Sequence, residues 1–182
     1  IAAANAASKG EKADFSKMTR WLKNGDSAIR YWAATGLLIL KHDARPAIPL
    51  LREALDDPSP DVAITAAEAL YYLGEKEAAL NTLLKRMKHK DVFVRVHALN
   101  VLDYTGEDSQ TIREEVVNMV NEYKGENRQR YDLRLTEWLF KKWGLDLPDY
   151  AMREAEILDP DLSGVTRFLS HRISITMLTF GE

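Results

Sequence analysis

The chain has 182 residues, of which 46% are hydrophobic and 29% charged, which excludes a mostly disordered chain and suits a globular domain with a core. The formal net charge of −3 argues against a nucleic-acid partner, and the absence of cysteine excludes disulfides, thiolate nucleophiles and cysteine metal ligands. Because no stretch approaches about 20 apolar residues without charges, no membrane span or membrane partner is predicted.

The beginning of the sequence predicts two short helices. Its first residue is Ile1 and not methionine, so we expect a processed product or an excised fragment. Residues 1–8 are alanine-rich but lack the basic flank and long apolar run of a signal peptide. Together with residues 14–23, they read as the two helices of a truncated first repeat.

Three further segments repeat one another. Residues 29–33, 62–66 and 94–98 align with offsets of 33 and 32 residues. The match extends to a leucine in each unit and to a glycine in the later two: Leu37, Leu70 and Leu102, then Gly74 and Gly106. A looser copy begins near residue 127 and runs through Trp138 to Trp143. Periods of this length are typical of stacked helical repeats.

Each copy predicts a helical hairpin. In the clearest first helix, apolar residues recur at helical spacing and predict one buried stripe: Ile29, Ala33, Leu37 and Leu40. Second helices follow, with apolar sets Ile48, Leu51 and Leu55; Leu80, Leu83 and Met87; Ile112, Val116 and Met119. The recurring alanines, including Ala66 and Ala98, have small side chains that allow neighbouring hairpins to pack closely.

Turn and cap residues mark the ends of these helices. Ser59 is a predicted N-cap with Pro60 at the first helical position, and Asp26 and Asp91 suit a cap or a first turn. Gly74 and Gly106 suit the left-handed conformation that ends a helix.

The predicted fold is therefore an all-α solenoid of about four helical hairpins over residues 1–147. Its units are predicted at about 1–23, which is the truncated first unit, and at about 24–55, 56–87, 88–120 and 121–147. Residues 148–182 lose the repeat rhythm and are predicted to be an irregular tail or cap. Three interpretations of this tail stay open, namely a cap on the last hairpin, a membrane-surface or partner helix, and an expression-derived extension.

Residues that could support catalysis or bind a cofactor are scattered. The histidines at 42, 89, 97 and 171 share no helical i, i+4 spacing, so they predict no metal site. No glycine-rich phosphate loop and no nucleophile elbow is found. The sequence therefore predicts no catalytic residue, no cofactor and no enzymatic activity for this chain.

Residues 85–90 form the most basic run, and its two leading members, Lys85 and Arg86, are candidate contacts for an acidic partner. The neighbouring units place Arg52-Glu53 and Glu114-Glu115 on the equivalent helices. A groove that binds nucleic acid would carry basic residues at this place in successive repeats, and these repeats do not. A solvated turn between repeats is therefore the alternative interpretation of this run.

Three aromatic residues are the other candidate contacts. Tyr31 and Trp32 lie early in a helix, and Trp32 aligns with Thr65 and His97, which predicts a half-exposed position that tolerates polar groups. Trp21 lies in the truncated first unit. Packing between the first two units is one interpretation, and a contact with a partner protein is the other.

The repeat motif supports a family resemblance. Residues 30–38, 57–62 and 67–74 resemble HEAT repeats, whose Asp, Val/Ile-Arg and Ala pattern is matched by Asp26, Ile29-Arg30 and Ala33, and again by Asp91, Val94-Arg95 and Ala98. The middle unit has Ala63 in place of the arginine, which interrupts any Asp–Arg ladder between repeats. These segments, with residues 97–107, also resemble the repeats that follow the catalytic domain of bacterial sulfatases of the arylsulfatase and N-sulfoglucosamine sulfohydrolase type.

The sulfatase resemblance implies an accessory region and not an active domain. Sulfatases use a formylglycine made within a C/S-x-P-x-R motif, and this chain has no such motif, so no catalytic residue is carried over. It implies a non-catalytic scaffold or protein-interaction module, whose partner is an upstream domain of the same polypeptide or another protein. A periplasmic or secreted location would follow. The alternative is a HEAT-like enzyme or ligand-binding protein, similar to a phycobilin lyase or a DNA glycosylase.

Overall fold

A computed structural model describes residues 1–10, 14–106, 109–122 and 130–145, and gives the backbone alone for 120–122 and 130–134. Its helices are α1 (Ala2–Ala7), α2 (Phe15–Trp21), α3 (Ser27–Ile39), α4 (Ile48–Ala54), α5 (Pro60–Tyr72), α6 (Lys76–Met87), α7 (Val92–Thr105), α8 (Gln110–Glu122) and α9 (Arg130–Trp143). No strand occurs among these described residues.

The predicted aspartate caps are confirmed. Asp26 accepts a hydrogen bond from the Ala28 N–H at 2.8 Å, and Asp91 accepts one from the Phe93 N–H at 2.9 Å. Each carboxylate satisfies one N–H that lacks a partner within the helix, which fixes where α3 and α7 begin.

Ser59 is at the N-cap position of α5, as predicted, but its side chain makes no capping hydrogen bond. The Asp57 carboxylate instead accepts a hydrogen bond from the Ser59 N–H at 2.8 Å. At the other helix ends, Gly74 and Gly106 have φ of +100° and +67°, which confirms the predicted left-handed turns.

A 3-10 helix, Lys41–Ala47, separates α3 from α4 and was not predicted. Pro46 lies inside it, where its missing N–H and its ring are incompatible with a continuous α-helix. The second helix of this unit is consequently short, with seven residues in α4 against 12 in α6.

The helices form two layers. In the first layer, α5 packs between α3 and α7, and α7 also packs against α9. In the second layer, α6 packs against α8, and α4 and α6 both pack against α5 of the first layer. The short helices α1 and α2 both pack on α3. The predicted all-α solenoid is therefore confirmed.

The core follows the predicted repeat with one shift. The repeated leucines and alanines are buried: Leu37, Leu70, Leu102, Ala33, Ala66 and Ala98. Ile29, predicted in the buried stripe, is only half-buried, because the buried face of α3 is centred on Ala33, Ala34 and Leu37. The central helix α5 is buried continuously from Val62 to Tyr71.

The predicted tail, residues 148–182, lies outside the described residues. The bounds of the five predicted repeat units also stay predictions.

Candidate functional site

Arg30 of α3 joins two successive loops. Its Nη1 donates to the carbonyl oxygens of Asn24 at 2.8 Å and Gly25 at 3.0 Å, in the loop before α3. Its Nε and Nη2 donate to the Asp57 carboxylate at 2.6 and 2.8 Å, in the loop before α5. A two-bond contact between guanidinium and carboxylate fixes orientation as well as distance. We call this set of contacts the arginine clasp.

The half of the clasp that grips its own loop recurs on α7. Arg95 Nη1 donates to the carbonyl oxygens of His89 at 2.8 Å and Lys90 at 3.0 Å. On α5 the matching residue is Ala63, whose methyl group can donate no hydrogen bond. The sequence indicated this interruption.

Arg86 of α6 contacts the loop before α5. Its Nη2 donates to the Leu55 carbonyl oxygen at 3.5 Å, and its positive charge acts on Asp57. Arg86 thus supplies positive charge to the loop before α5. Ala63, at the position of Arg30 and Arg95, cannot supply it.

The electrostatics of the clasp favour its ionised form. Burial alone would raise the pKa of Asp57, but hydrogen bonds from Arg30 and the Ser59 N–H, with the charges of Arg30 and Arg86, lower that pKa below its usual 3.8. The hydrogen bond to Asp57 raises the pKa of Arg30 in turn. Both charges are therefore maintained at neutral pH.

Further ion pairs link helices, or the residues that cap them, that are not consecutive in the chain. Arg52 pairs with Glu75, Lys88 pairs with Glu115 at 2.7 Å, and Lys142 pairs with Asp103 at 2.6 Å. All three involve partly exposed side chains, so each contributes little stability. Their effect is to favour one register between successive hairpins.

A polar seam, defined by Asp61, Thr65 and His97, lies between α5 and α7. His97 Nδ1 lies 2.8 Å from Asp61 Oδ1, and because a carboxylate only accepts, the proton is on Nδ1. His97 Nε2 and Thr65 Oγ1 are buried without a protein partner. Sequence reasoning missed this group, although Asp61 and Thr65 are one helical turn apart and His97 aligns with Thr65.

A hydroxyl, an imidazole and a carboxylate are the components of a nucleophilic triad, but the seam does not form one. Thr65 is 1% exposed, and its Oγ1 makes no hydrogen bond to His97. Two surface grooves in the described part of the chain, one along α8 and one between Leu22 and Asp57, are not lined by any seam residue. The Thr65 hydroxyl therefore lies neither on the surface nor beside either groove.

The predicted aromatic contacts are partly brought together. The rings of Tyr31 and Trp32 meet edge to face, with centroids 5.3 Å apart, and both residues are half-buried on α3. Trp21 lies on α2 beneath the ammonium of Lys17, which is 4.5 Å from the ring centroid. Whether any of the three binds a partner stays a prediction.

The basic run is dispersed. Lys85 is exposed, whereas Arg86 is directed toward Leu55 and Lys88 is paired with Glu115. Lys85 and Arg86 also lie in the last turn of α6, where positive charge favours the helix dipole. An interaction role for either residue stays a prediction.

The stacked hairpins place the protein among the α-solenoids, and comparison with known families makes this more specific. A family model described as HEAT repeats matches residues 48–114, and one described as PBS lyase HEAT-like repeat matches residues 29–57. HEAT repeats are therefore detected within residues 29–114. No curated protein matches the chain. Neither family description refers to a sulfatase.

The described residues contain neither a membrane-spanning helix nor a cluster of metal ligands. None of their helices is long and apolar enough to cross a membrane. None of their histidine, aspartate and glutamate side chains forms a group of three or more that could hold a metal ion.

Proposed function

We propose that this chain is a non-catalytic helical-repeat scaffold whose surface binds another polypeptide. The observation that carries the proposal is the arginine clasp, in which Arg30 bonds both its own loop and Asp57 of the next unit. Side chains that connect repeats in this way favour a fixed array, and such arrays provide extended binding surfaces. Of the seam residues, Asp61 pairs with His97, and Thr65 is buried between helices.

The proposed contact residues are Tyr31 and Trp32 on α3 and Trp21 on α2, which packs on α3. Half-buried aromatic rings keep part of their apolar surface available at little cost in side-chain entropy, which is a property of interface anchors. The partner we propose is a domain of the same polypeptide or another protein.

A photo-crosslinking residue at position 32 tests this proposal in cells that produce the protein naturally. Position 77 is the matched control, since Glu77 is exposed on α6 in the second layer. We expect a defined protein adduct from position 32 and not from position 77. Identical adducts from both positions, or crosslinks only within the chain, would contradict the proposal.

A more specific form of the proposal assigns the scaffold to a bacterial sulfatase-like protein as its accessory region. Its support is the resemblance of residues 30–38, 57–62, 67–74 and 97–107 to repeats of that kind. The test is to sequence the gene upstream of the codon for Ile1. A C/S-x-P-x-R motif there would support the assignment, and a continuous upstream reading frame without one would contradict it.

The match of residues 29–57 to the PBS lyase HEAT-like repeat favours a second candidate, a ligand-binding or lyase-like role. Mixing the protein with a linear tetrapyrrole and recording the absorption spectrum tests it. A saturable shift would favour this second candidate, and an unchanged spectrum would leave the scaffold as the better proposal.

A further inference from the structure

The loop that Arg30 grips contains the only Asn-Gly dipeptide of the sequence, Asn24-Gly25. A glycine that follows an asparagine leaves its own backbone nitrogen unhindered, because it has no Cβ. That nitrogen is then able to attack the preceding side-chain amide. We propose that Asn24 is a site of spontaneous deamidation, a covalent modification that acts on the arginine clasp and is independent of the proposed function.

The local geometry favours this reaction. The Asp26 N–H donates a hydrogen bond to Asn24 Oδ1 at 2.9 Å, which holds the side chain folded toward the following backbone. The same N–H lies where negative charge develops on Oδ1 during attack at Cγ, and a donor placed there stabilises that charge. Gly25 is exposed, and a Cβ added to it would meet nothing within 4 Å, so solvent water reaches the loop.

The chemistry is balanced without any oxidant or reductant. The Gly25 nitrogen forms a bond to Asn24 Cγ, the Cγ–Nδ2 bond breaks, and the nitrogen leaves as ammonia after taking up the proton lost by Gly25. Water then opens the cyclic imide at one of its two carbonyl carbons. One opening gives aspartate, and the other gives isoaspartate, in which the main chain runs through Cγ.

The isoaspartate product changes the contacts of Arg30. The carbonyl that accepts from Arg30 Nη1 at 2.8 Å becomes a free carboxylate, and the main chain before Gly25 becomes one carbon longer. A full negative charge then competes with Asp57 for the same guanidinium. The loops before α5 and α7 contain Asp57-Pro58 and His89-Lys90 and have no asparagine. Of the loops before α3, α5 and α7, only the first can therefore undergo this reaction.

The test begins with the intact chain incubated at mildly alkaline pH, followed by peptide mapping with mass spectrometry. We expect the peptide containing residues 24 and 25 to gain the mass difference between a hydroxyl and an amino group. Gly25→Ala is the matched variant, since its Cβ has space and its φ lies outside the left-handed range. It should slow the mass gain severalfold.

A second measurement separates the products. The isoaspartyl form, isolated by ion exchange, should melt below the intact chain, whereas Asn24→Asp should melt close to it, because an aspartate oxygen still accepts from the Asp26 N–H. Mass gain in the urea-unfolded chain but not in the folded chain would overturn the proposal. Equal rates in the wild type and Gly25→Ala, or an isoaspartyl form with unchanged melting, would also overturn it.

Discussion

Asp57 receives two hydrogen bonds from Arg30, a residue 27 positions earlier, at 2.6 and 2.8 Å, and a third from the Ser59 N–H at 2.8 Å. The carboxylate thus accepts from the preceding unit while it orders the start of α5. Its side chain is 8% exposed and that of Arg30 is 14% exposed, so water screens the contact only partly. This placement makes Asp57 the most informative position for testing how the repeats are joined.

Asp57→Asn should destabilise the protein at neutral pH by about 2 kcal/mol, between the values for exposed and buried ion pairs. The pKa of Asp57 is lowered in the folded state, so its contribution is present above the usual pKa of 3.8 and is lost as pH falls through the folded value. The difference between variant and wild type should therefore shrink below pH 3.8.

Urea unfolding at a series of pH values measures this effect. Asp56→Asn is the matched control, because Asp56 is adjacent to Asp57 and exposed. It should change stability by less than about 0.5 kcal/mol. A stability loss for Asp57→Asn that stays constant down to the acid range would contradict the proposed role of the ionised carboxylate.

Arg86→Met should destabilise the chain by about 1 kcal/mol, because it removes the donor to the Leu55 carbonyl and a positive charge near Asp57. Lys85→Met, at the neighbouring exposed position, should leave the free energy of unfolding nearly unchanged. Thermal melting of the two variants measures this difference. Equal losses would mean that both side chains act only through the dipole of α6.

The repeat pattern predicted the fold because each unit buries the same small and large residues. Leu37, Leu70 and Leu102 recur at fixed spacing, and so do the alanines that permit close packing. Caps at Asp26 and Asp91 were predictable for a local reason, since an N-cap bonds to an N–H two residues away.

Contacts between units were harder to predict, because the partners are distant in sequence. Nothing local to Asp61 indicates His97, 36 positions later, and the same holds for Arg30 and Asp57. The 3-10 helix was missed for another reason. The apolar residues after Pro46 fit a helix that begins near Ile48, so the sequence pattern does not distinguish the preceding 3-10 turn from a loop.

Thr65→Val should stabilise the protein by about 1 kcal/mol, because the Thr65 hydroxyl is buried without a protein partner and valine has a similar shape. Thr35→Val is the matched control on α3, where the Thr35 hydroxyl donates to the Tyr31 carbonyl oxygen at 2.9 Å. The same substitution should not stabilise there. A loss of stability in Thr65→Val, measured by urea unfolding, would show that this hydroxyl is satisfied in solution.

Gly36 lies where α3 packs against the first unit, and a side chain there would meet Met18. A Cβ built on Gly36 would lie 2.4 Å from Met18 Sδ, 3.0 Å from Met18 Cγ and 3.5 Å from the Ala7 Cα. Met18 is buried, so its side chain has little room to move aside.

Gly36→Ala should therefore destabilise the chain by about 1 kcal/mol, as overpacking exceeds the gain in helix propensity. In a Met18→Ala background the steric conflict is removed, and the same change should stabilise by up to about 1 kcal/mol, because alanine is the better helix former. Urea unfolding of the two single variants and the double variant measures this reversal of sign. Gly25→Ala, at an open position outside the helices, serves as the control for a glycine substitution without a steric conflict. If Gly36→Ala has the same effect in both backgrounds, the side chain of Met18 does not limit the approach of α2 to α3.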